Sequence, residues 1–87
     1  MNSFITIFCN FTYNFTKLQI AWFRQINNRT KLIGHESQKF IQSDRYSILS
    51  KEGINELTIY NVTERDSGNL ICQINTEPMK NYVSTYF

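Results

Sequence analysis

Few residues of this 87-residue chain could carry covalent or acid–base chemistry, and the strongest candidates are the two cysteines and the single histidine. His35 has no cysteine or carboxylate at metal-ligand spacing, so it is a poor candidate for a metal site. No nucleophile, base and orienting group surround it, and no glycine-rich phosphate loop or paired cysteine motif occurs. The residues therefore predict neither an enzyme nor a cofactor. Cys9 and Cys72 can form a cross-link, or they can be two unrelated buried thiols.

The charged residues argue against two further classes of function. The net charge is +2, and nine basic residues are scattered between Lys17 and Lys80 without forming a run. Scattered cations are typical of solvated positions, so a nucleic-acid partner or a polybasic membrane surface is not expected. No apolar stretch approaches the roughly 20 residues that span a bilayer, so this segment should not insert into a membrane. The opening "MNSFITIF" is a poor signal peptide because it lacks a basic start.

Four N-glycosylation acceptor sequences nevertheless favour export to the cell surface. In each of them an asparagine is followed by a residue other than proline and then by threonine. Asparagine is abundant in the chain, so the alternative is a set of ordinary polar loop and strand residues. The candidate glycosylation sites are Asn10, Asn14, Asn28 and Asn61.

The elements that would position these residues are short strands. Apolar residues recur with a period of two in "ITIFCNF", "QIAWFR", "ELTIY" and "NLICQIN", and no segment shows a sustained helical period. Aromatic residues, which favour pleated surfaces, make up 15% of the chain. Turn-forming residues separate the runs at positions 27–28, 51–53, 66–68 and 77–78. Many short strands at close spacing predict an all-β antiparallel sandwich or barrel.

The spacing of two cysteines and a tryptophan then indicates one family of β-sandwich proteins. Cys9 and Cys72 lie on the apolar sides of their strands, and Trp22 lies on the strand that follows Cys9. This arrangement resembles the Cys…Trp…Cys pattern of an immunoglobulin domain. The run that ends in the second cysteine also resembles the signature of the immunoglobulin superfamily from strand E to strand F. Its matching positions are Leu57, Ile59, Val62, Asp66, Gly68, Leu70 and Cys72.

The resemblance implies structural roles for several of these residues. Cys9 and Cys72 would form the inter-sheet disulfide, with Trp22 packed against it. In the chain-entropy model, closing a loop of this length stabilises a fold by about 4 kcal/mol. Arg45 resembles the arginine that pairs with the signature aspartate in variable-type domains, so an ion pair between Arg45 and Asp66 is expected.

Two features depart from the family pattern. Leu70 stands where a tyrosine hydroxyl usually bonds back to the E–F corner, so that corner should be weaker unless another group replaces the bond. The chain also begins at Met1, close before Cys9, which leaves out most of strand A. We therefore expect residues 1–87 to form a single variable-type (V-type) immunoglobulin-like antiparallel β-sandwich that lacks most of strand A. It would be a fragment of a longer protein with several such domains.

Two phrases narrow the resemblance further. "IAWFRQ" and "CQINTEPMK" are similar to the first immunoglobulin domain of invertebrate neuronal adhesion proteins. These are lachesin, the Dpr (defective proboscis extension response) proteins and their Dpr-interacting partners, to which the vertebrate IgLON proteins are related. The resemblance implies an extracellular, membrane-anchored glycoprotein that acts in neuronal cell–cell recognition at the synapse. Its partner would be another immunoglobulin-domain cell-surface protein, homophilic or heterophilic, bound through the sheet of strands G, F, C, C′ and C″.

Strand parity supports a contact face on that sheet. Phe23 and Ile71 point away from the core on neighbouring strands, where apolar residues are not required. Leu32 and Ile33 on the next strand are both candidates, because one of the two should point outward. His35 fits a polar rim. The predicted partner-binding face consists of Ala21, Phe23, Gln25, Leu32, Ile33, His35, Ile71, Gln73 and Asn75.

Two other functions stay open on the sequence. An immune or receptor domain would bind a soluble or microbial ligand through its loops, and a structural spacer domain would show no exposed apolar patch. The connection from Thr76 to Asn81 is short and contains Pro78, which makes it a poor loop binding site. The sequence therefore favours the sheet face.

Overall fold

The strands predicted from the alternating pattern are present in the structure. The computed structural model describes residues 3–10, 18–51 and 53–86 of the chain. Glu64–Asp66 form a 3₁₀ turn. The strands within the described residues are β1 (Phe4–Phe8), β2 (Ile20–Ile26), β3 (Arg29–His35), β4 (Gln38–Lys39), β5 (Tyr46–Lys51), β6 (Ile54–Tyr60), β7 (Gly68–Ile74) and β8 (Lys80–Tyr86).

These strands form two antiparallel sheets, which confirms the predicted sandwich. One sheet has three strands in the order β1, β6, β5, and the other has five in the order β4, β3, β2, β7, β8. A two-residue turn joins β2 to β3. Asn27 and Asn28 adopt φ values of 51° and 64° there, as a type I′ hairpin requires.

The core lies between the inner faces of the two sheets. Ile20 and Trp22 of β2 are almost completely buried, and so are Leu57 and Ile59 of β6, as the alternation predicted. The buried apolar residues of the described chain are Cys9, Ile20, Trp22, Ile33, Tyr46, Leu57, Ile59, Leu70, Cys72 and Ile74. A chain of this length is only marginally stabilised by its core, so a covalent link adds a useful share of its stability.

One disulfide joins the two sheets through this core. Cys9 follows β1 and Cys72 lies in β7, and their Cα atoms are 6.4 Å apart across the bridge. Trp22 is the register neighbour of Cys72 on β2 and is buried in the same cluster. The two cysteines are thus a cross-link and not a pair of unrelated thiols.

A bulge between β2 and β3 corrects one of the predicted face residues. Trp22 pairs with Gly34, but Phe23 pairs with Leu32, so Ile33 has no partner on β2. Ile33 is fully buried in the core, whereas Leu32 lies on the outer side beside Phe23. The assignment of Ile33 to the partner-binding face is therefore wrong. Counting with a period of two cannot place such an extra residue.

The glycine of the strand E to strand F signature is required by the backbone. Gly68 is the first residue of β7 and has a φ of 144°, a value that residues with a side chain rarely adopt. A Cβ atom at this position would also lie 2.5 Å from the carbonyl oxygen of Gln25. Close approach of β2 and β7 at this end of the five-stranded sheet therefore depends on a residue without a side chain.

Candidate partner-binding face

One row of apolar side chains crosses the outer face of the five-stranded sheet. Leu32 of β3 lies opposite Phe23 of β2. Phe23 lies opposite Ile71 of β7, and Ile71 lies opposite Val83 of β8. Residues paired across antiparallel strands project to the same side, so these four side chains form what we call the apolar row. With strands about 4.8 Å apart, the apolar row spans about 14 Å.

Polar rows border the apolar row on both sides. On one side, Gln73 Nε2 donates to Asn81 Oδ1 at 3.1 Å. On the other, Asn69 Nδ2 donates to Gln25 Oε1 at 3.2 Å and a threonine hydroxyl donates to Asn69 Oδ1 at 2.9 Å. One polar row consists of His35, Ala21, Gln73 and Asn81, and the other of Thr30, Gln25, Asn69 and Thr85. None of these eight positions carries Lys, Arg, Asp or Glu.

The centre of the apolar row is less exposed than its ends. Phe23 and Ile71 are half-buried, whereas Leu32 is 38% exposed and Val83 is 57% exposed. The sequence predicted that Phe23 and Ile71 would be exposed, but each has a paired strand on both sides that covers part of the side chain. The result is a continuous apolar centre inside a border that carries no Lys, Arg, Asp or Glu.

Val83 is a face residue that the sequence analysis did not identify. It shares one side of β8 with Asn81 and Thr85, and the alternation in "NYVSTYF" contains this signal. The other side of β8 carries Tyr82 and Tyr86, so both sides are partly apolar. Alternation therefore does not decide which side of β8 faces outward, and the register with β7 does.

An ion pair at one end of the sandwich joins the two sheets. Arg45 precedes β5 and Asp66 precedes β7, and Arg45 Nη2 lies 2.6 Å from Asp66 Oδ2, as the sequence predicted. The same guanidinium donates to the carbonyl oxygens of Tyr60 and Asn61 at 3.0 and 3.2 Å. Leu70, in place of the family tyrosine, is buried in the core. Arg45 thus provides hydrogen bonds at the corner where Leu70 has no hydroxyl.

The environment of Asp66 favours its ionised form. Its side chain is 5% exposed, and burial by itself raises the pKa of the carboxyl group. Hydrogen bonds from Arg45 and from the Thr63 backbone N–H, together with the charges of Arg45 and Arg24, outweigh burial and lower the pKa below its usual 3.8. The bond from Thr63 N measures 2.8 Å and caps the 3₁₀ turn. Asp66 is therefore a structural anion at the junction of the two sheets.

Two further predicted face residues lie at the border of the sheet. His35 is half-buried at the end of β3, opposite Ala21. Asn75 is exposed just after β7, and its Oδ1 accepts the backbone N–H of Gln19 at 2.6 Å. Asn75 thus links the end of β7 to the segment before β2, outside the two polar rows.

The described candidate glycosylation sites avoid this face. Asn10 follows β1, Asn28 lies in the turn between β2 and β3, and Asn61 follows β6. All three are exposed, and none belongs to the apolar row or the polar rows. Asn14 lies outside the described residues.

The described residues contain no grouping suited to metal chemistry. In residues 3–10, 18–51 and 53–86, no three His, Cys, Asp or Glu side chains come close enough to hold a metal ion. The same ranges contain no helix that is long and apolar enough to cross a membrane.

Solved structures with the same fold include the IG1 domains of several proteins that were solved as complexes. Dpr1 IG1, solved bound to DIP-eta IG1, is 22% identical with a TM-score of 0.79, over 95% of this chain and 77% of that one. The ZIG-8–RIG-5 IG1–IG1 heterodimer is 20% identical with a TM-score of 0.79, over 94% and 70%. The RIG-5 IG1 homodimer is 24% identical with a TM-score of 0.77, over 94% and 78%. At these identities the likeness establishes the fold.

Sequence comparison points to one family. No curated protein sequence matches the chain significantly. The model of the immunoglobulin V-set domain, however, matches residues 3–86, which is nearly the whole chain. With its inter-sheet disulfide and the V-set match over nearly its full length, the chain belongs to the immunoglobulin V-set domain family.

Proposed function

We propose that this domain is a cell-surface recognition module that binds another immunoglobulin domain through the outer face of its five-stranded sheet. The observation that carries the proposal is the apolar row of Leu32, Phe23, Ile71 and Val83 between two polar rows. An apolar centre with a polar rim is typical of protein–protein contact sites. The V-set family is not a family of enzymes, so binding is the function to test.

The structural neighbours support the class of partner. Dpr1 IG1 is bound to DIP-eta IG1, ZIG-8 and RIG-5 pair through their IG1 domains, and RIG-5 IG1 forms a homodimer. We extend this behaviour to the present domain, whose partner would be a second copy or a different immunoglobulin domain. The phrases "IAWFRQ" and "CQINTEPMK" resemble neuronal adhesion proteins, so the proposed setting is neuronal cell–cell recognition.

An extracellular location is part of the proposal. The Cys9–Cys72 disulfide favours an oxidising compartment, because thiols in the cytosol are kept reduced. Glycans on Asn10, Asn28 and Asn61 would cover other surfaces and leave the apolar row bare. In the contact, Phe23 and Ile71 would be the central anchors, with Ala21, Gln25, His35 and Gln73 in the border.

The test places a carboxylate in the centre of the apolar row. Phe23→Asp and Ile71→Asp should each weaken association at least about 30-fold, because a desolvated, unpaired charge at a hot spot costs roughly 2 kcal/mol or more. Association with itself is measured by sedimentation velocity of the chain over a range of concentrations. Association with other proteins is measured by surface plasmon resonance against secreted V-set domains of the same genome.

Leu49→Asp is the matched control, because Leu49 is an exposed apolar residue on the outer face of the three-stranded sheet. Loss of association in both central variants, with normal binding by Leu49→Asp, would support the proposal. Equal losses in all three variants would contradict it. So would a wild-type chain that stays monomeric and binds none of the domains. Thermal unfolding of every variant checks that the fold is intact.

A further inference from the structure

A second surface of the sandwich carries positive charge. An open cleft of about 570 Å³ lies at the end of the β2–β3 hairpin, beside the connection from β4 to β5. Two isoleucines, three cations and an asparagine line it, and none of its lining residues is acidic. The lining residues are Arg24, Ile26, Asn27, Arg29, Lys31 and Ile41.

The cations project to the side of the hairpin opposite the apolar row. Arg24 lies two positions after the buried Trp22 on β2, so both side chains point to the same side. Lys31 is paired with Arg24, and Arg29 is paired with Ile26, so they share that side. Arg29 and Lys31 are nevertheless exposed. The three-stranded sheet therefore leaves this end of the hairpin uncovered.

Protein groups neutralise the charge of the cleft only in part. Arg24 donates a hydrogen bond to the Tyr46 hydroxyl, and its Nη2 lies 4.0 Å from the carboxylate of Asp66. That carboxylate is already bound more closely by another arginine. Within the part of the chain that the structure describes, Arg29 and Lys31 form neither ion pairs nor side-chain hydrogen bonds. The cleft therefore offers two free cations beside apolar side chains.

We propose that this cleft binds an acidic peptide segment of a partner protein. Arg29 and Lys31 are two positions apart on one side of β3, so they are separated by about 6.6 Å along the strand. In an extended peptide, acidic side chains two residues apart have the same spacing and can pair with both cations. An aliphatic residue two positions further along the peptide would lie on the same side as the acidic residues and would bury apolar surface against Ile26 and Ile41, which are half-buried.

The isoleucines favour a peptide over a sulfated polysaccharide. Both kinds of ligand carry anions that attract Arg29 and Lys31. An apolar lining adds to affinity only when the ligand has apolar surface to remove from water, and a sulfated sugar chain offers little. The pairing of cations with Ile26 and Ile41 therefore matches a peptide that carries acidic and aliphatic residues on one side, at every second position.

The test uses a fluorescent peptide in which two glutamates and then a leucine occupy every second position, with serine between them. The complete chain is made without glycans, because a glycan on Asn28 would lie beside the cleft. Fluorescence anisotropy at near-physiological salt measures its dissociation constant. The double variant Arg29→Gln/Lys31→Gln should weaken binding about tenfold, because it removes two exposed ion pairs. Ile41→Ser should weaken binding about threefold through lost apolar contact.

A matched control removes the same net charge elsewhere. Lys51 and Arg65 are exposed and do not line the cleft, so Lys51→Gln/Arg65→Gln should change the dissociation constant less than about twofold. A second control peptide has serine in place of leucine and should bind the wild-type chain more weakly. Thermal unfolding confirms that each variant is folded.

Three results would overturn the proposal. Equal weakening by the two double variants would show attraction by overall charge. Equal affinity for the serine peptide would show that the isoleucines contribute nothing. A heparin tetrasaccharide that binds through Arg29 and Lys31 when the peptide does not bind would show a sulfated-glycan site. The cleft and the apolar row lie on opposite sides of the hairpin. Peptide binding in the cleft can therefore fail while binding through the apolar row holds, and binding through the apolar row can fail while the peptide binds.

Discussion

Both sheets of the sandwich expose apolar side chains on their outer faces, but they arrange them differently. On the five-stranded sheet, paired residues on four strands form the uninterrupted apolar row. On the three-stranded sheet, Phe8 and Leu49 both lie opposite Glu56, and Ile54 lies opposite Lys51. Phe8 is 62% exposed and Leu49 is 47% exposed, more than the half-buried residues at the centre of the apolar row.

The comparison favours continuity over exposure as the criterion for the proposed contact face. A partner that covered Phe8 and Leu49 would also have to take the carboxylate of Glu56 out of water. Burying an unpaired charge costs several kcal/mol, more than contacts with two exposed side chains are expected to contribute. No such charge interrupts the apolar row. This difference supports the proposal that the partner binds the five-stranded sheet, although the other sheet has the more exposed apolar residues.

The largest expected effect concerns the disulfide, on which both faces depend. Cys9→Ala/Cys72→Ala should lower the free energy of unfolding by about 4 kcal/mol, since the bridge restricts the unfolded chain. That is a large share of the roughly 5–15 kcal/mol typical of a domain. Urea denaturation measures the change. Reduction of the wild-type chain should give a similar loss, and an unchanged midpoint in either case would show that the cross-link does not stabilise this domain.

The next effect concerns the ion pair that joins the sheets at one end. Asp66→Ala should lower the free energy of unfolding by about 2 kcal/mol, because it removes the charged hydrogen bonds that Asp66 accepts from Arg45 and from the Thr63 backbone N–H. Asp44→Ala is the control, since Asp44 is exposed, and it should change stability by less than about 0.5 kcal/mol. Thermal and urea unfolding of both variants provide the measurement, and equal effects would contradict a special role for Asp66.

The same ion pair predicts how stability depends on pH. The pKa of Asp66 is lower in the folded chain than its usual 3.8, so its contribution is present above pH 3.8 and is lost as pH falls through the lowered pKa. The difference in unfolding free energy between wild type and Asp66→Ala should therefore shrink on acidification below pH 3.8. A difference that stays constant down to pH 2 would mean that ionisation of Asp66 does not stabilise the fold.

A smaller effect tests the exposed end of the apolar row. Val83→Ser should weaken association with the partner roughly fivefold, because it removes apolar contact at the edge of the proposed site. Ile54→Ser makes a similar change on the three-stranded sheet and should leave association unchanged. Titration by surface plasmon resonance compares the two. Equal effects would show that the two outer faces contribute alike to association.

The smallest expected effect comes from making the outer face of the three-stranded sheet more continuously apolar. Glu56→Leu removes the carboxylate that separates Phe8 from Leu49 and leaves three apolar residues in register. Weak self-association should follow, with a dissociation constant on the order of 1 mM. Sedimentation velocity at high concentration detects it. Glu56→Gln removes the charge without adding apolar surface, so this control variant should stay monomeric. Equal self-association of the two variants would contradict the importance of a continuous apolar surface.

Much of the fold could be predicted from the sequence, because its signals are local. Alternation placed Ile20 and Trp22 inward, and the resemblance identified both the disulfide and the Arg45–Asp66 pair. The site was harder to predict. Ile33 was wrongly assigned to the face, because the bulge opposite Trp22 and Phe23 depends on contacts between strands.

The amino-acid sequence by itself determined where strands alternate, where turns occur and which residues could cross-link the sheets. Alternation and turns depend on neighbours one or two positions apart in the sequence. The cross-link follows from the resemblance to the immunoglobulin pattern of two cysteines and a tryptophan. The tertiary structure decided that Leu32, Phe23, Ile71 and Val83 form one row, and that Arg29 and Lys31 line a cleft with Ile41. Those placements depend on strand register and on a bulge, which arise from packing between residues far apart in the chain.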